Sequence, residues 1–222
     1  LFTLKDADGN TVAQAMGTEA VTLAPGQATV LKAQAPVEDL HFWSWGYGYL
    51  YTVESCLSEV ADDGSTPARR DPVTLRTGFR KTRFDEGKFW LNDRVMMVHG
   101  YAQRTSNEWP GVGLSVPAWL SDYSNSLMVE GGANLVRWMH VTPWKQDVES
   151  CDRVGLLQAM PAGDAEKDVD GPRWQQRTEL MRDAIIYNRN NPSIIFYEGG
   201  NESISREHMI ELKAIRDQYD PH

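Results

Sequence analysis

The stretch Ser193-Ile194-Ile195-Phe196-Tyr197-Glu198-Gly199-Gly200-Asn201-Glu202 joins an apolar, β-branched and aromatic run to two glycines and a carboxylate. Such a run predicts a buried strand and the glycines end it, so Glu202 falls at a strand's carboxyl end. In parallel α/β architectures that end carries the loops where chemistry is done. An arbitrary Asn-Glu pair is ordinarily just a cap for the following helix, so the rest of the chain must supply the company that Glu202 needs.

Three earlier strand ends supply candidates: Arg104 and Glu108 after the first, Arg137 and His140 after the second, Asp164 and Glu166 after the third. Gathered at one rim with Asn201 and Glu202, they would suit a polyhydroxylated ligand. Singly, each has a plainer reading. An Arg leaving a buried strand pairs with a neighbouring carboxylate, and a lone His is a satisfied core histidine. Asp164 and Glu166 lie in an acidic run, Gly163 to Asp168, of the type that forms a solvated loop. Eight tryptophans and eight tyrosines offer flat rings that stack on sugar faces, but Trp109, Trp138, Trp144 and Trp174 are individually packing residues by type.

The elements that must position these residues come in two regimes. Residues 1–81 are strand and turn material: strands at 12–16, 21–23, 28–33, 49–57 and 73–79, with Leu40 to Trp45 between, broken by Asp8-Gly9, Pro25-Gly26 and Asp62-Asp63-Gly64. Short strands at this spacing predict an immunoglobulin-like β-sandwich, incomplete at its N-terminus. Residues 82–222 open with a hairpin at 89–95 and then alternate. Strands are expected at 95–99, 134–139, 155–160 and 193–198, and helices at 117–131, 144–154, 173–190 and after Glu202. Leu120, Tyr123 and Leu127 mark the expected buried face of the first helix; Trp174, Thr178, Met181 and Ile185 that of the third; Met209, Leu212 and Ile215 that of the last. Four β/α units imply parallel strands with crossover helices, either half of a (β/α)8 TIM barrel or an open sheet. No G-x-G-x-x-G loop follows any strand, which argues against a nucleotide-binding doubly wound sheet.

Composition narrows the partners. With 22 basic against 31 acidic residues the formal charge is −9, which opposes nucleic acid or an anionic membrane as a ligand and suits a small polar one. Cys56 and Cys151 are too few and too far apart for a disulfide framework or a metal site, and both are expected reduced and buried. No cofactor or metal is called for. The chain starts at Leu1 and stops at Asp220-Pro221-His222, so it reads as an excised piece whose compartment, periplasmic, secreted or cytoplasmic, stays open.

Taken in order, Thr77-Gly78-Phe79-Arg80, Phe89-Trp90-Leu91-Asn92, Gly132 to His140, Cys151 to Leu156, and Asn191-Pro192-Ser193-Ile194 with Gly200-Asn201-Glu202 resemble glycoside hydrolase family 2, the family of β-galactosidases, β-glucuronidases and β-mannosidases. The resemblance implies a retaining glycosidase acting on β-galactoside-like or related β-glycosides. By it Glu202 is the general acid/base, Asn201 bonds the sugar's 2-hydroxyl, Arg137 orients the nucleophile and His140 lines the sugar subsite. Arg104, Trp138, Asp164 and Glu166 join them as expected substrate-binding residues. Where the family commonly shows Trp-Ser-x-Gly-Asn-Glu, this chain has Tyr197-Glu198-Gly199-Gly200-Asn201-Glu202, with a second carboxylate near the first.

A retaining mechanism needs a partner carboxylate roughly 5 to 5.5 Å away. In the family it lies on a later barrel strand, which predicts a piece that is inactive alone. Half a barrel also leaves strand edges through which copies could associate. The competing readings are a non-catalytic carbohydrate-binding module, a structural piece in which Glu202 only caps a helix, and a barrel hydrolase of another group.

Overall fold

The computed structural model describes residues 1–17, 20–58, 69–104, 109, 111–112, 116–161 and 166–221. They divide into two compact units, one of Leu1–His41 with Leu50–Thr77, the other of Phe42–Tyr49 with Gly78–His222. The expected boundary after residue 81 therefore differs from the observed division: residues 42–49 and 78–81 group with the second unit.

The first unit holds one antiparallel sheet in the order β2-β1-β3-β4, formed by β1 (Phe2–Lys5), β2 (Thr11–Ala15), β3 (Tyr51–Ser58) and β4 (Arg69–Thr77). Its first turn is set by Asp6, whose carboxylate accepts from the amides of Asp8 and Asn10 at 3.0 and 2.8 Å, with Gly9 at φ 86°. The strands expected at 21–23 and 28–33 do not form; Val21, Leu23, Val30 and Leu31 are exposed. Neither face of the alternation Ala28, Val30, Lys32 against Thr29, Leu31, Ala33 is apolar enough to be driven into a core.

The second unit opens with a three-stranded sheet, β5 (Thr82–Asp85), β6 (Lys88–Leu91) and β7 (Arg94–Met96). Both turns place two residues at positive φ, Glu86 and Gly87 at 51° and 69°, Asn92 and Asp93 at 49° and 65°, as tight hairpin turns require. This corrects one expectation. Because Asn92-Asp93 folds 94–96 back onto β6, Val95 and Met96 pair with Trp90 and Phe89, and the first barrel strand starts later, at β8 (Gly100–Arg104).

From there the alternation holds: α1 (Ala118–Glu130), β9 (Leu135–Met139), α2 (Lys145–Val154), β10 (Leu157–Pro161), α3 (Gly171–Asn188), β11 (Ile194–Glu198) and α4 (Arg206–Tyr219). The four strands are parallel, in the order β11-β10-β9-β8, leaving β8 and β11 as the edges among the described residues. Side chains alternate across the sheet, and the register shift of β11 against Gln158-Ala159 moves that alternation by one residue between Ile194 and Phe196. Val136 and Trp138 face the helices with Cys151 and Leu156; Met160 and Ile194 do the same with Val148 and Ala184. On the opposite face, Phe196 packs against Phe84 and Phe89 of the hairpin, with ring centroids 5.4 and 6.3 Å away.

The face expected for α1 is corrected too. Tyr123 and Leu127 are exposed, while Leu120, Ser121, Ser124 and Asn125 are buried. The seam between α1 and α2 is polar: Ser121 Oγ donates to Asp147 at 2.6 Å, Asn125 Nδ2 to Ser150 Oγ at 3.0 Å, and Arg153 pairs with Asp122 at 2.8 Å. Such a seam breaks the apolar periodicity on which the expectation rested.

At the amino-terminal ends of the strands, Asp152 is 3% exposed. Its carboxylate accepts from Asn191 Nδ2 at 2.5 Å and from the Ser193 amide at 3.1 Å, and also from the Ser193 hydroxyl. Lys145 Nζ joins the cluster through Asn191 Oδ1 at 2.7 Å. Segment 42–49 docks here as well. Trp43, fully buried, donates Nε1 to the Asp152 carbonyl at 2.8 Å, and Gly46 donates to the Gly155 carbonyl at 2.9 Å. Gly155, at φ 74°, ends α2; a Cβ there would meet the Tyr47 nitrogen at 2.6 Å, so only glycine allows this approach. Arg80 is anchored alongside, donating Nε to Pro192 O and Nη2 to Ile194 O, both at 2.5 Å. Cys151 is buried and Cys56 half-buried, and neither forms a disulfide among the described residues.

Candidate active site

Arg137 is the middle residue of β9, in register with Ala102 of β8 and Ala159 of β10. Alternation turns it away from the helix-side core that takes Val136 and Trp138. Two strands over, Glu198 ends β11 opposite Pro161 and shares that face. The guanidinium grips it as a fork, with Nε 2.8 Å from Oε2 and Nη2 bonded to Oε1. Nη2 also donates to Asn201 Oδ1 at 3.0 Å. The Glu198 hydrogen bonds hold the Arg137 guanidinium above even its usual pKa.

From Asn201 the network continues. Its Nδ2 lies 3.4 Å from Glu166 Oε1, and the other Glu166 oxygen is 3.4 Å from His140 Nε2. The backbone is stitched at the same point: the Glu202 amide donates to the Glu166 carbonyl at 2.9 Å, and Lys167 and Glu202 form a parallel bridge. Arg137, His140, Glu166, Asn201 and Glu202 thus lie together at the carboxyl ends of β9, β10 and β11.

Arg104 ends β8 in register with Met139, at the same rim. Asp164 and Glu108 lie outside the described residues. Trp138 is a correction. It is fully buried and donates Nε1 to Gln158 Oε1 at 2.9 Å, because a residue next to Arg137 on a strand must point to the other side.

The helix-cap reading of Glu202 is also settled. The N-cap of α4 is Ser205, whose Oγ accepts from the His208 amide at 3.3 Å. Among the described residues the Glu202 carboxylate, exposed at the loop, accepts no hydrogen bond.

Two residues of this neighbourhood were not singled out by the sequence, Asp168 and His208, which hold the loop carrying Glu202; Glu198 stood out there only as a second carboxylate, with no partner assigned. Asp168 accepts from the Ser205 amide at 2.9 Å and lies 2.7 Å from His208 Nδ1; the His208 ring stacks on Trp174, centroids 3.6 Å apart at 12°. Partial desolvation pushes the Asp168 carboxyl up, but the bonds from His208, Ser205 and Val169 outweigh it and bring it down to about 2, so it stays ionised in all but strong acid. The signal for Glu198 was present: a carboxylate closing an apolar strand has to find a cation. No cluster of metal-ligating side chains occurs among the described residues, and no helix is long and apolar enough to cross a membrane.

Comparison with known proteins follows the same lines. Residues 82–222 match the family model for the TIM barrel domain of glycosyl hydrolases family 2. A β-glucuronidase of Formosa agariphila is 31% identical over 220 residues, covering 97% of this chain and 21% of its own length. The β-galactosidase large subunit of Leuconostoc lactis is 25% identical, covering 99% of this chain and 36% of that protein. A solved β-glucuronidase of family 2 superposes with a TM-score of 0.84 at 30% identity, covering the whole of this chain and 22% of that one. This chain therefore spans about a fifth to a third of the length of the proteins it matches. With the family model covering all four β/α units, the chain belongs to family 2 of the glycosyl hydrolases.

Proposed function

We propose that the chain is the acid/base half of a retaining glycosidase whose substrate is a β-glucuronide. One observation carries this: Arg137 holds Asn201, with Glu202 beside it, at the carboxyl ends of parallel strands. The galactoside expected from the sequence gives way to a glucuronide because the more similar relatives bear the name β-glucuronidase. Glu202 protonates the glycosidic oxygen and then takes a proton from the water that releases the sugar. Asn201 donates to the 2-hydroxyl, His140 and Glu166 line the subsite, and Arg104 stands at its rim. The sheet of the first unit, Leu1–His41 with Leu50–Thr77, is one layer of an immunoglobulin-like sandwich.

The nucleophile belongs elsewhere. Glu198 has both oxygens on Arg137, and Glu166 lies between His140 and Asn201; the resemblance, in which the nucleophile comes from a later strand, supports neither of them in that role. We place it on a later barrel strand, outside these 222 residues. The purified chain is accordingly expected to leave 4-nitrophenyl β-D-glucuronide intact, whereas the longer parent polypeptide cleaves it. Cleavage by the chain alone, lost in Glu202→Gln, would overturn that placement. Light scattering on the same sample should find self-association through the β8 and β11 edges; a monomer at all concentrations would contradict it. A carbohydrate-binding module instead predicts sugar affinity that survives Glu202→Gln and Arg137→Ala but is lost on replacing Trp119 or Trp144, which are 68% and 50% exposed.

A further inference from the structure

Glu198 has no part in the mechanism above, yet among the described residues it is the most confined carboxylate at the rim. Its side chain is 14% exposed, against 48% for Glu166. A carboxylate so far out of water needs a partner for each oxygen, and Arg137 supplies both from one edge of its guanidinium. That fork fixes the plane of the group. Only then does the remaining N–H on Nη2 point at Asn201 Oδ1, 3.0 Å away.

The consequence falls on Asn201. A carboxamide has an accepting end and a donating end, and a guanidinium can only donate. Facing Arg137, the amide must turn Oδ1 inward and Nδ2 outward, toward Glu166 and the space above the strand ends. Arg137 without Glu198 would be a flexible side chain, 35% exposed, free to swing toward solvent. Asn201 could then present either end.

We propose that Glu198 is a positioning residue: through its fork with Arg137 it sets the donating end of Asn201 toward the sugar. The proposal rests on the glycosidase reading, in which Asn201 meets the 2-hydroxyl. It also gives a reason for a Glu at the place where the family commonly carries Ser.

Two measurements test it, and they fail separately. In the 222-residue chain, Glu198→Gln puts an amide nitrogen against the guanidinium and breaks the fork. Amide NMR should then show the Arg137 Nε–H exchanging with water at least about tenfold faster, and the two Asn201 Nδ2 protons moving toward free-amide shifts. Glu198→Asp, which keeps the charge on a shorter arm, should fall between wild type and Glu198→Gln. Unchanged Asn201 resonances in either folded variant overturn the proposal; if neither folds, rapid exchange of the Arg137 Nε–H in the wild-type chain overturns it.

In the parent polypeptide, Glu198→Gln should lower kcat about 10²-fold with KM nearly unchanged, since the misplaced amide is missed mainly in the transition state. The split is the readout: a rise in KM with kcat unchanged would overturn the proposal. If the wild-type parent cleaves no glycoside, the glycosidase reading falls while the NMR result still decides what Glu198 does. If Glu202→Gln abolishes cleavage but Glu198→Gln does not alter kcat, only the positioning role falls.

Discussion

Replacing Glu202 with Gln in the parent enzyme is expected to lower kcat about 10²- to 10⁴-fold on a glycoside with a poor leaving group. The side chain keeps its size and loses only the transferable proton. The loss should shrink as the leaving group improves, because a dinitrophenolate departs without being protonated. Little structural change should accompany it. The carboxylate is exposed and accepts no hydrogen bond among the described residues, and the loop is held through the Glu202 amide, Ser205 and Asp168, none of which the substitution touches. Circular dichroism and thermal melting should match wild type. A loss of activity independent of the leaving group would mean that Glu202 acts in binding instead.

The largest expected effect on stability belongs to Asp152→Ala, at the opposite end of the sheet. The substitution leaves the amide and hydroxyl of Ser193 and the Nδ2 of Asn191 without their acceptor in a buried site. Each orphaned group costs about 1 to 3 kcal/mol. Against that stands relief of a desolvated carboxylate, which leaves a net cost of about 2 kcal/mol at pH 7.

The pH dependence follows from the same burial, which raises the Asp152 carboxyl to about 6. In the unfolded chain it titrates near 3.9. Because folding raises this pKa, the associated stabilisation, up to about 3 kcal/mol, is fully present below pH 4 and is lost as pH rises through 6. Urea melts should therefore show Asp152→Ala costing about 1 kcal/mol more at pH 5 than at pH 7. A cost that grows with pH instead would mean that the carboxylate, not the acid, is the form the fold favours.

Much of this arrangement was legible in the residues. The parallel strands β9, β10 and β11 and their helices announced themselves through apolar runs and their breakers, since fully buried strands and crossover helices have distinct periods. The rim set of Arg137, His140, Glu166, Asn201 and Glu202 came with them, because strand ends in a parallel sheet share one side. Trp138 could have been excluded by the same alternation, since it follows Arg137 on one strand.

Other features depended on choices that local sequence does not decide. Val95 and Met96 suit either a hairpin or a barrel strand, and the Asn92-Asp93 turn takes them for the hairpin. The buried face of α1 is chosen by Asp147 and Ser150 on another helix. The aromatic segment 42–49 leaves its neighbours in the chain to pack on Gly155, a tertiary preference without local signature. The fork from Arg137 to Glu198 joins residues 61 apart across β10, where the pairing with β11 shifts register between Gln158 and Ala159.

The acid/base assignment itself is tested most directly by trapping what the enzyme makes when Glu202 is absent. In the parent enzyme carrying Glu202→Ala, 2,4-dinitrophenyl β-D-glucuronide should still form the glycosyl-enzyme, since that leaving group needs no proton. Azide, small and needing no general base, should then release it. Proton NMR of the product is expected to show β-glucuronyl azide, the retained anomer. An α-azide would make Glu202 the nucleophile, and no azide product at all would place it outside the chemistry.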